Sequence, residues 1–176
     1  MEVLKETIYT IDDIYRLPDG ERAELIDGQI YMMAPPSRTH QRLVSRLNQL
    51  IANYITDKGG SCEVLPAPFA VFLDGNDISY VEPDISVVCD SSKLDEKGCH
   101  GTPDWVIEIV SESSRRMDYM IKLFKYRSAG IREYWIVDPK KQQIIVYDFD
   151  HDMMEEYPFD KNVPVGIYDD FSIKLN

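Results

Sequence analysis

Two acidic residues, Asp84 and Glu108, stand where the sequence otherwise predicts buried β-strands. Asp84 lies in the run 81–88 and Glu108 in the run 105–110, and both runs are rich in β-branched residues. A carboxylate in such a strand costs on the order of several kcal/mol unless a partner compensates its charge. Two carboxylates of this kind indicate a cation-binding site, and therefore metal-assisted hydrolysis.

This set of residues favours magnesium as the bound ion, and manganese is the alternative. Mg²⁺ prefers oxygen ligands and keeps several waters, so two carboxylates on adjacent strands suffice, and the carbonyl of Ile109 could add a third oxygen. Lys122, in the helix predicted next, is suited to orient the attacking water or to offset charge on a phosphate. Asp118 lies four residues earlier, so an ordinary ion pair on the helix surface is an open alternative for Lys122.

Glu24 and His40 are two further candidates. Glu24 lies in a predicted strand before the hairpin signal Asp27-Gly28, and alternation places it on the same face as Ile26. It is predicted as a third acid that binds a second metal or orients Lys122; the alternative is a glutamate in solvent on an edge strand. His40, in the first turn of a long helix, either contacts a phosphate or has a structural role.

The composition predicts one globular domain. The chain has 176 residues, of which 44% are apolar. We expect the domain to span 1–176, with a core at about 10–150 and an acidic C-terminal segment at 148–176. No apolar run approaches the ~20 residues that span a bilayer, and the N-terminus lacks the pattern of a signal peptide. A cytoplasmic protein without membrane contact is expected, with Cys62, Cys89 and Cys99 as free, reduced thiols.

The net charge of −12 weighs against a nucleic-acid substrate, because proteins that bind nucleic acids usually carry a basic patch. The charge is unevenly distributed, since residues 148–176 contain eight acids and two lysines. A basic stripe, Arg38, Arg42 and Arg46, recurs every four residues along the long helix. The stripe is either an ordinary solvated face or a face that contacts phosphates.

Hydrophobic periodicity and turn signals predict an α+β fold with a mixed, curved β-sheet flanked by helices. A short helix begins at Thr10, and the long helix begins at Ser37 or Thr39 and ends at Gly59-Gly60. A third helix is predicted over Ser113–Ala129, and Ser91–Gly101 is predicted as a mobile loop. Strands are predicted at 22–26, 29–33, 62–65, 69–73, 85–89, 104–110, 133–137 and 143–147, with short edge strands at 155–157 and 171–174.

An ordered set of short motifs in residues 10 to 150 resembles the Uma family, which belongs to the restriction-endonuclease-like PD-(D/E)XK superfamily. The motifs are Ala23-Glu24-Leu25-Ile26-Asp27-Gly28, Glu82-Pro83-Asp84-Ile85, Trp105-Val106-Ile107-Glu108-Ile109-Val110-Ser111, Lys122, Tyr126, Ala129-Gly130 and Glu133-Tyr134-Trp135-Ile136-Val137-Asp138-Pro139. The ordered set is specific, although each piece alone is weak.

The resemblance implies a nuclease-like core and a divalent-metal site. It makes Asp84 the aspartate of the proline-aspartate motif, Glu108 the second acid, and Glu24 the acid near the N-terminus. The superfamily's lysine usually lies two residues after the second acid, where this chain has Val110, and Lys122 fits a lysine that has moved to the next helix. Glu112 replaces the usual proline after Ser111.

The expected function is therefore that of a Mg²⁺-dependent DNA endonuclease. Cutting both strands would favour a homodimer, because each active site cuts one strand. Two alternatives stay open at this point. One is a catalytically inactive nuclease fold that binds a protein partner, which the net charge favours, and the other is a hydrolase of a smaller phosphoester.

Overall fold

The computed structural model describes residues 7–176. The helices are α1 (Ile11–Tyr15), α2 (Arg38–Asp57) and α3 (Leu123–Ala129), with a 3-10 turn at Ser91–Lys93 and a π-helical segment at Met117–Lys122. The strands are β1 (Ala23–Ile26), β2 (Gln29–Met32), β3 (Glu63–Pro66), β4 (Val71–Phe72), β5 (Ile85–Val88), β6 (Leu94–Asp95), β7 (Gly98–His100), β8 (Trp105–Ile109), β9 (Glu133–Asp138), β10 (Gln143–Asp148), β11 (Met153–Pro158), β12 (Val163–Pro164) and β13 (Ser172–Ile173).

A six-stranded mixed sheet with the strand order β11-β10-β9-β8-β5-β3 is the centre of the fold. Strands β8 and β9 run parallel, and the other neighbours in this sheet run antiparallel. The hairpin β1–β2, the pair β12–β13 and the small sheet β4-β7-β6 complete the strand pairing. The predicted α+β class, with a mixed sheet flanked by helices, is confirmed.

Helix α2 covers one face of the sheet. Ser37 is its N-cap and accepts a hydrogen bond from the amide of His40 at 3.2 Å. The helix ends just before Gly59, whose φ of 62° is the left-handed conformation expected after a helix. Its apolar residues recur at helical spacing and face the sheet: Leu43, Val44, Leu47, Ile51 and Ile55.

The central strand β8 divides its side chains between the two faces of the sheet. Trp105, Ile107 and Ile109 pack in the core beneath α2, whereas Val106 packs in the core on the opposite face. The same alternation places Glu108 on the face that α3 covers. The sequence therefore places one carboxylate in an otherwise apolar layer, within reach of the helix that follows.

The hydrophobic core extends into the C-terminal segment. Phe159, Val163, Val165 and Ile173 are buried against the α2 face of the sheet. Glu133 at the start of β9 accepts hydrogen bonds from the indole of Trp135 at 2.6 Å and from the amide of Ile167 at 2.9 Å. The acidic side chains of this segment thus lie outside a buried apolar framework.

Two predictions about local structure were wrong. The residues 91–101 are not a mobile loop but contain the 3-10 turn, β6 and β7, because β7 pairs with β4 and the amide of Cys99 donates to the carbonyl of Ala70 at 2.9 Å. The helix predicted over Ser113–Ala129 is interrupted by the π-helical segment. The hydroxyl of Tyr134 donates to the carbonyl of Asp118 at 2.9 Å, and a side chain bonded into the helical ladder is one cause of such irregularity.

The prediction that the cysteines are free was wrong for two of the three. Cys62 and Cys89 form a disulfide, whereas Cys99 is free and buried. Strands β3 and β5 are antiparallel with Glu63 opposite Val88, so the register brings the two flanking cysteines directly opposite each other. Within residues 7–176, no helix has the length and apolar character needed to cross a membrane.

We expect the disulfide to stabilise the fold measurably, because it closes a loop in the unfolded chain. The chain-entropy model gives about 3.5 kcal/mol for a loop of this size. The substitutions Cys62→Ser and Cys89→Ser together, or reduction of the native chain, should lower the melting temperature by roughly 7–14 °C. Calorimetry with and without reductant measures this. The double variant is the control, because reductant should not change its melting temperature; a native chain that is insensitive to reductant would contradict the prediction.

Candidate active site

A cavity of about 610 Å³ opens where the C-terminal end of β8, the chain entering β5 and the N-terminal turn of α2 meet. All the acidic and basic residues predicted for the site line it. They are Glu24, Asp84, Glu108 and Lys122, joined by His40 and by Asp118. The structure therefore brings residues nearly 100 positions apart in sequence into a single site.

Glu108 is the most connected side chain of the cavity and is only 3% exposed. Its Oε1 accepts hydrogen bonds from Lys122 Nζ at 2.8 Å and from Tyr126 Oη at 2.7 Å. Its Oε2 accepts one longer hydrogen bond, from the amide of Asp84 at 3.3 Å. The first oxygen is thus fully engaged, and the second retains capacity for another ligand.

Lys122 lies at the end of the π-helical segment and points into the protein. Its Nζ is 2.8 Å from Glu108 Oε1 and 2.8 Å from Glu24 Oε2. The alternative of a surface ion pair with Asp118 does not hold, since Lys122 is 4% exposed and Asp118 Oδ2 instead accepts a hydrogen bond from Ser114 Oγ at 2.6 Å. An ammonium fixed between two buried carboxylates can donate its remaining proton into the cavity.

Asp84 immediately precedes β5, and its two oxygens differ in their surroundings. Oδ2 accepts a hydrogen bond from the amide of Ile109 at 2.7 Å and lies 3.0 Å from His40 Nε2. Within residues 7–176, Oδ1 has no hydrogen-bond partner. The site therefore presents one carboxylate oxygen of Asp84 without a protein donor.

Glu24 points inward, as alternation along β1 predicts, and is 4% exposed. Besides pairing with Lys122, it accepts a hydrogen bond through Oε1 from the amide of Glu82 at 2.9 Å. Glu82 is in turn held by Arg22 Nε at 2.9 Å and by the hydroxyl of Tyr80 at 2.6 Å. The hairpin β1–β2 is thus tied to the chain that carries Asp84.

The cavity holds more negative than positive charge. Burial raises the pKa of Glu108 well above its ordinary value; Lys122 opposes this effect, whereas Asp84 and Asp118 add to it. Burial likewise raises the pKa of Asp118 to about 6. Burial lowers the pKa of Lys122, but Glu108 and Glu24 outweigh it and raise that pKa well above its usual range. One ammonium therefore does not neutralise the carboxylates around it.

The donor set fits a hard divalent cation. The oxygens with capacity are Asp84 Oδ1 and Glu108 Oε2, and the chain at Ile109, whose carbonyl the sequence suggested as a third ligand, also lines the cavity. Oxygen donors of this kind suit Mg²⁺ or Mn²⁺ with several waters completing the shell. In the described part of the chain, no group of three or more His, Cys, Asp or Glu residues is arranged to hold a metal. Such an ion would thus depend on backbone oxygen and water.

Two residues of the cavity were missed or left open by the sequence. Asp118 is buried, with 2% of its surface exposed. In the sequence it lies four residues before Lys122, which is also the spacing of an ordinary ion pair on a helix surface. His40 was ambiguous, and the structure places it against Asp84. One sequence signal for Asp118 was Ser114, a small polar residue four positions earlier. The hydroxyl of Ser114 donates a hydrogen bond to Asp118 Oδ2.

The chain resembles known proteins across most of its length. The model of the family Uma2, described as "Putative restriction endonuclease", matches residues 11–172. "Uncharacterized protein slr1290" of Synechocystis sp. (strain ATCC 27184 / PCC 6803 / Kazusa) is 30% identical over 128 residues, which are 72% of this chain and 66% of that protein. "Uncharacterized protein sll1609" of the same strain is 26% identical over 121 residues, 67% of each chain. This chain thus aligns with about two thirds of each relative.

A solved structure has the same fold. It is the crystal structure of a protein from Anabaena variabilis ATCC 29413 described as "a putative nuclease belonging to DUF820". The TM-score is 0.71 at 23% sequence identity, and the match covers 90% of this chain and 89% of that one. Together with the family match over residues 11–172, this shows that the chain belongs to the Uma2 family and has its nuclease-like fold.

Proposed function

We propose that this protein is a Mg²⁺-dependent phosphodiester hydrolase that cuts DNA. The observation that carries the proposal is the position of Lys122, held 2.8 Å from both Glu24 and Glu108 beside the unengaged oxygen of Asp84. Acids that bind a cation and an amine that faces the same space are the groups that phosphodiester hydrolysis requires. The family description and the solved neighbour support a nuclease-like activity.

Asp84, Glu108 and the carbonyl of Ile109 would hold the ion, which would supply an acidified water and electrostatic stabilisation of the phosphate. The protein's own groups do the rest. Glu24 and Glu108 fix the ammonium of Lys122, so that its remaining proton is directed toward the attacking water or a phosphate oxygen. The hydroxyl of Tyr126 donates a hydrogen bond to Glu108 Oε1 at 2.7 Å and so fixes the position of this carboxylate relative to the ammonium of Lys122.

Part of the net charge of −12 lies away from the cavity, and a bound divalent ion would offset the negative charge inside it. Asp148, Asp150 and Asp170 lie toward the ends of the strands and of α2 that are farthest from the cavity. Asp148 pairs with Glu133, the first residue of β9, and Asp170 accepts a hydrogen bond from Lys58, just after α2. At the cavity, Arg38 follows the lining residue Ser37. Asp148 and Asp170 are therefore separated from the site by the length of the strands and of α2.

We expect the substitutions Asp84→Asn and Glu108→Gln each to reduce Mg²⁺-dependent DNA cleavage at least about 100-fold. The reason is that each removes a charged oxygen ligand worth several kcal/mol of transition-state stabilisation, at 1.36 kcal/mol for each tenfold in rate. The measurements are plasmid nicking and Mn²⁺ binding by calorimetry. The exposed Glu155→Gln on β11 is the matched control. Undiminished cleavage in both site variants would refute the assignment, and a wild-type chain that binds no divalent ion would favour the inactive, partner-binding alternative.

The substitution Lys122→Met should cost roughly 3–5 kcal/mol of stability, because it leaves Glu24 and Glu108 buried without their cation. It should also abolish cleavage. Denaturant unfolding measures the loss, and Mn²⁺ should restore more stability to the variant than to the wild type, because the ion replaces the missing positive charge. Lys174→Met, in the C-terminal segment, is the control. Equal stability of Lys122→Met and wild type would show that the ion pairs are not the main partners of these acids.

Arg38 and Arg116 are expected to contact DNA phosphates on either side of the cavity. They are exposed, flank the lining residues Ser37 and Met117, and form no salt bridge within the described residues 7–176. The double substitution to alanine should reduce the slope of log K against log salt by about 2, at about 0.9 for each phosphate contact. The matched control is the pair Arg42→Ala and Arg46→Ala, one and two turns farther along α2, which should change the slope little. An equal effect of both pairs would instead show that the whole arginine stripe contacts phosphates.

A further inference from the structure

We infer that His40 is a positioning residue that fixes the carboxylate of Asp84 so that Oδ1 stays available in the cavity. This inference rests on the proposed function, because it concerns the residue that would bind the ion most directly. It assigns a role to a side chain that neither the motif set nor the charge pattern of the sequence identified.

The His40 ring has Asp84 as its principal polar neighbour, and the backbone of Ile109 also lies next to it. Its side chain is 13% exposed, and Nε2 lies 3.0 Å from Asp84 Oδ2. The amide of Ile109 donates to the same oxygen at 2.7 Å. Two groups that contact Oδ2 limit the rotation of the carboxylate, so Oδ1 stays the oxygen without a protein partner among residues 7–176.

The other nitrogen of the ring argues against a purely structural role. Nδ1 is buried, and no partner for it is found among the described residues. Buried polar atoms are normally satisfied, and a leucine at this position would fill the layer without leaving such an atom. The contact that Nε2 makes with Asp84 is therefore the polar interaction that can offset the burial of Nδ1.

The position of His40 makes the contact precise. The residue is in the first turn of α2, where its own amide donates to the N-cap Ser37 at 3.2 Å. Asp84, by contrast, precedes β5 and lies outside the regular ladder of the sheet. The amide of Ala67 donates to the carbonyl of Asp84 at 3.0 Å, and the amide of Ile109 donates to its side chain, so His40 adds a further contact from a fixed helix end to Oδ2. Partners of this kind typically change metal affinity by 10–100-fold when they are lost.

The test is Mn²⁺ affinity, measured by calorimetry without any substrate, in the variants His40→Leu and His40→Gln. We expect His40→Leu to bind Mn²⁺ about 10–100-fold more weakly. His40→Gln should recover most of that loss, because the glutamine amide can place a donor near the position of Nε2. His151→Leu is the matched control: His151 also pairs with an aspartate, Asp148 at 2.8 Å, but far from the cavity.

A second measurement separates failure of this inference from failure of the proposed function. In the metal-free protein, ¹⁵N chemical shifts of His40 should show a proton on Nε2, and Asp84→Asn should change those shifts. Wild type that binds Mn²⁺ with an affinity equal to that of His40→Leu would overturn the positioning role and leave the proposed function intact. Wild type that binds no Mn²⁺ would overturn both. A bare Nε2 facing Asp84 would overturn the positioning role alone.

Discussion

The site depends on the imbalance between one buried ammonium and the carboxylates around it. Glu24, Glu108 and Asp118 are all at most 4% exposed, and Lys122 is the cation among them. Water is largely excluded there, so the excess negative charge cannot be screened as it would be at the surface. A fold built only for stability would have apolar side chains in this layer. The electrostatic cost of this arrangement is the reason for the proposal that the cavity binds a divalent cation.

The surrounding elements hold that imbalance in place. Strand β8 delivers Glu108 to the face covered by α3, and the hairpin β1–β2 brings Glu24 to the other side of Lys122. The network continues outward through Glu82 to Arg22 and Tyr80, so each acid is held by at least one backbone or side-chain donor. Because the acids come from separate elements, the site exists only when the whole sheet and its two helical layers are assembled.

Much of this could be predicted from the sequence, and the exceptions share a physical cause. Helix α2 and the hairpin at Asp27-Gly28 follow from local signals, namely periodicity, caps and turn residues. Ser91–Gly101 lacks periodicity, and the short hairpin β6–β7 that it forms is fixed by the pairing of β7 with the distant strand β4. The disulfide of Cys62 and Cys89 follows from strand register, which depends on the tertiary fold rather than on any local pattern.

The site was predictable to a similar degree. Asp84 and Glu108 were identifiable because isolated carboxylates in apolar strands are conspicuous. Asp118 was missed and His40 was left open between two roles, because an acid four residues from a lysine and a histidine near a helix start are both common in proteins. Burial distinguishes these cases, and burial depends on which face a neighbouring element covers.

The placement of the amine on a helix has a consequence for how the site can vary. When acid and lysine share a strand, the hydrogen-bond ladder fixes their separation, and neither can move alone. Here the π-helical segment and the edge-to-face contact of Tyr126 with Tyr134, whose ring centroids are 5.0 Å apart, set the position of Lys122 instead. Local opening of that helix would move the ammonium of Lys122 out of the cavity and leave Asp84 and Glu108 in place. Sheet and helix thus contribute separable halves of the candidate site.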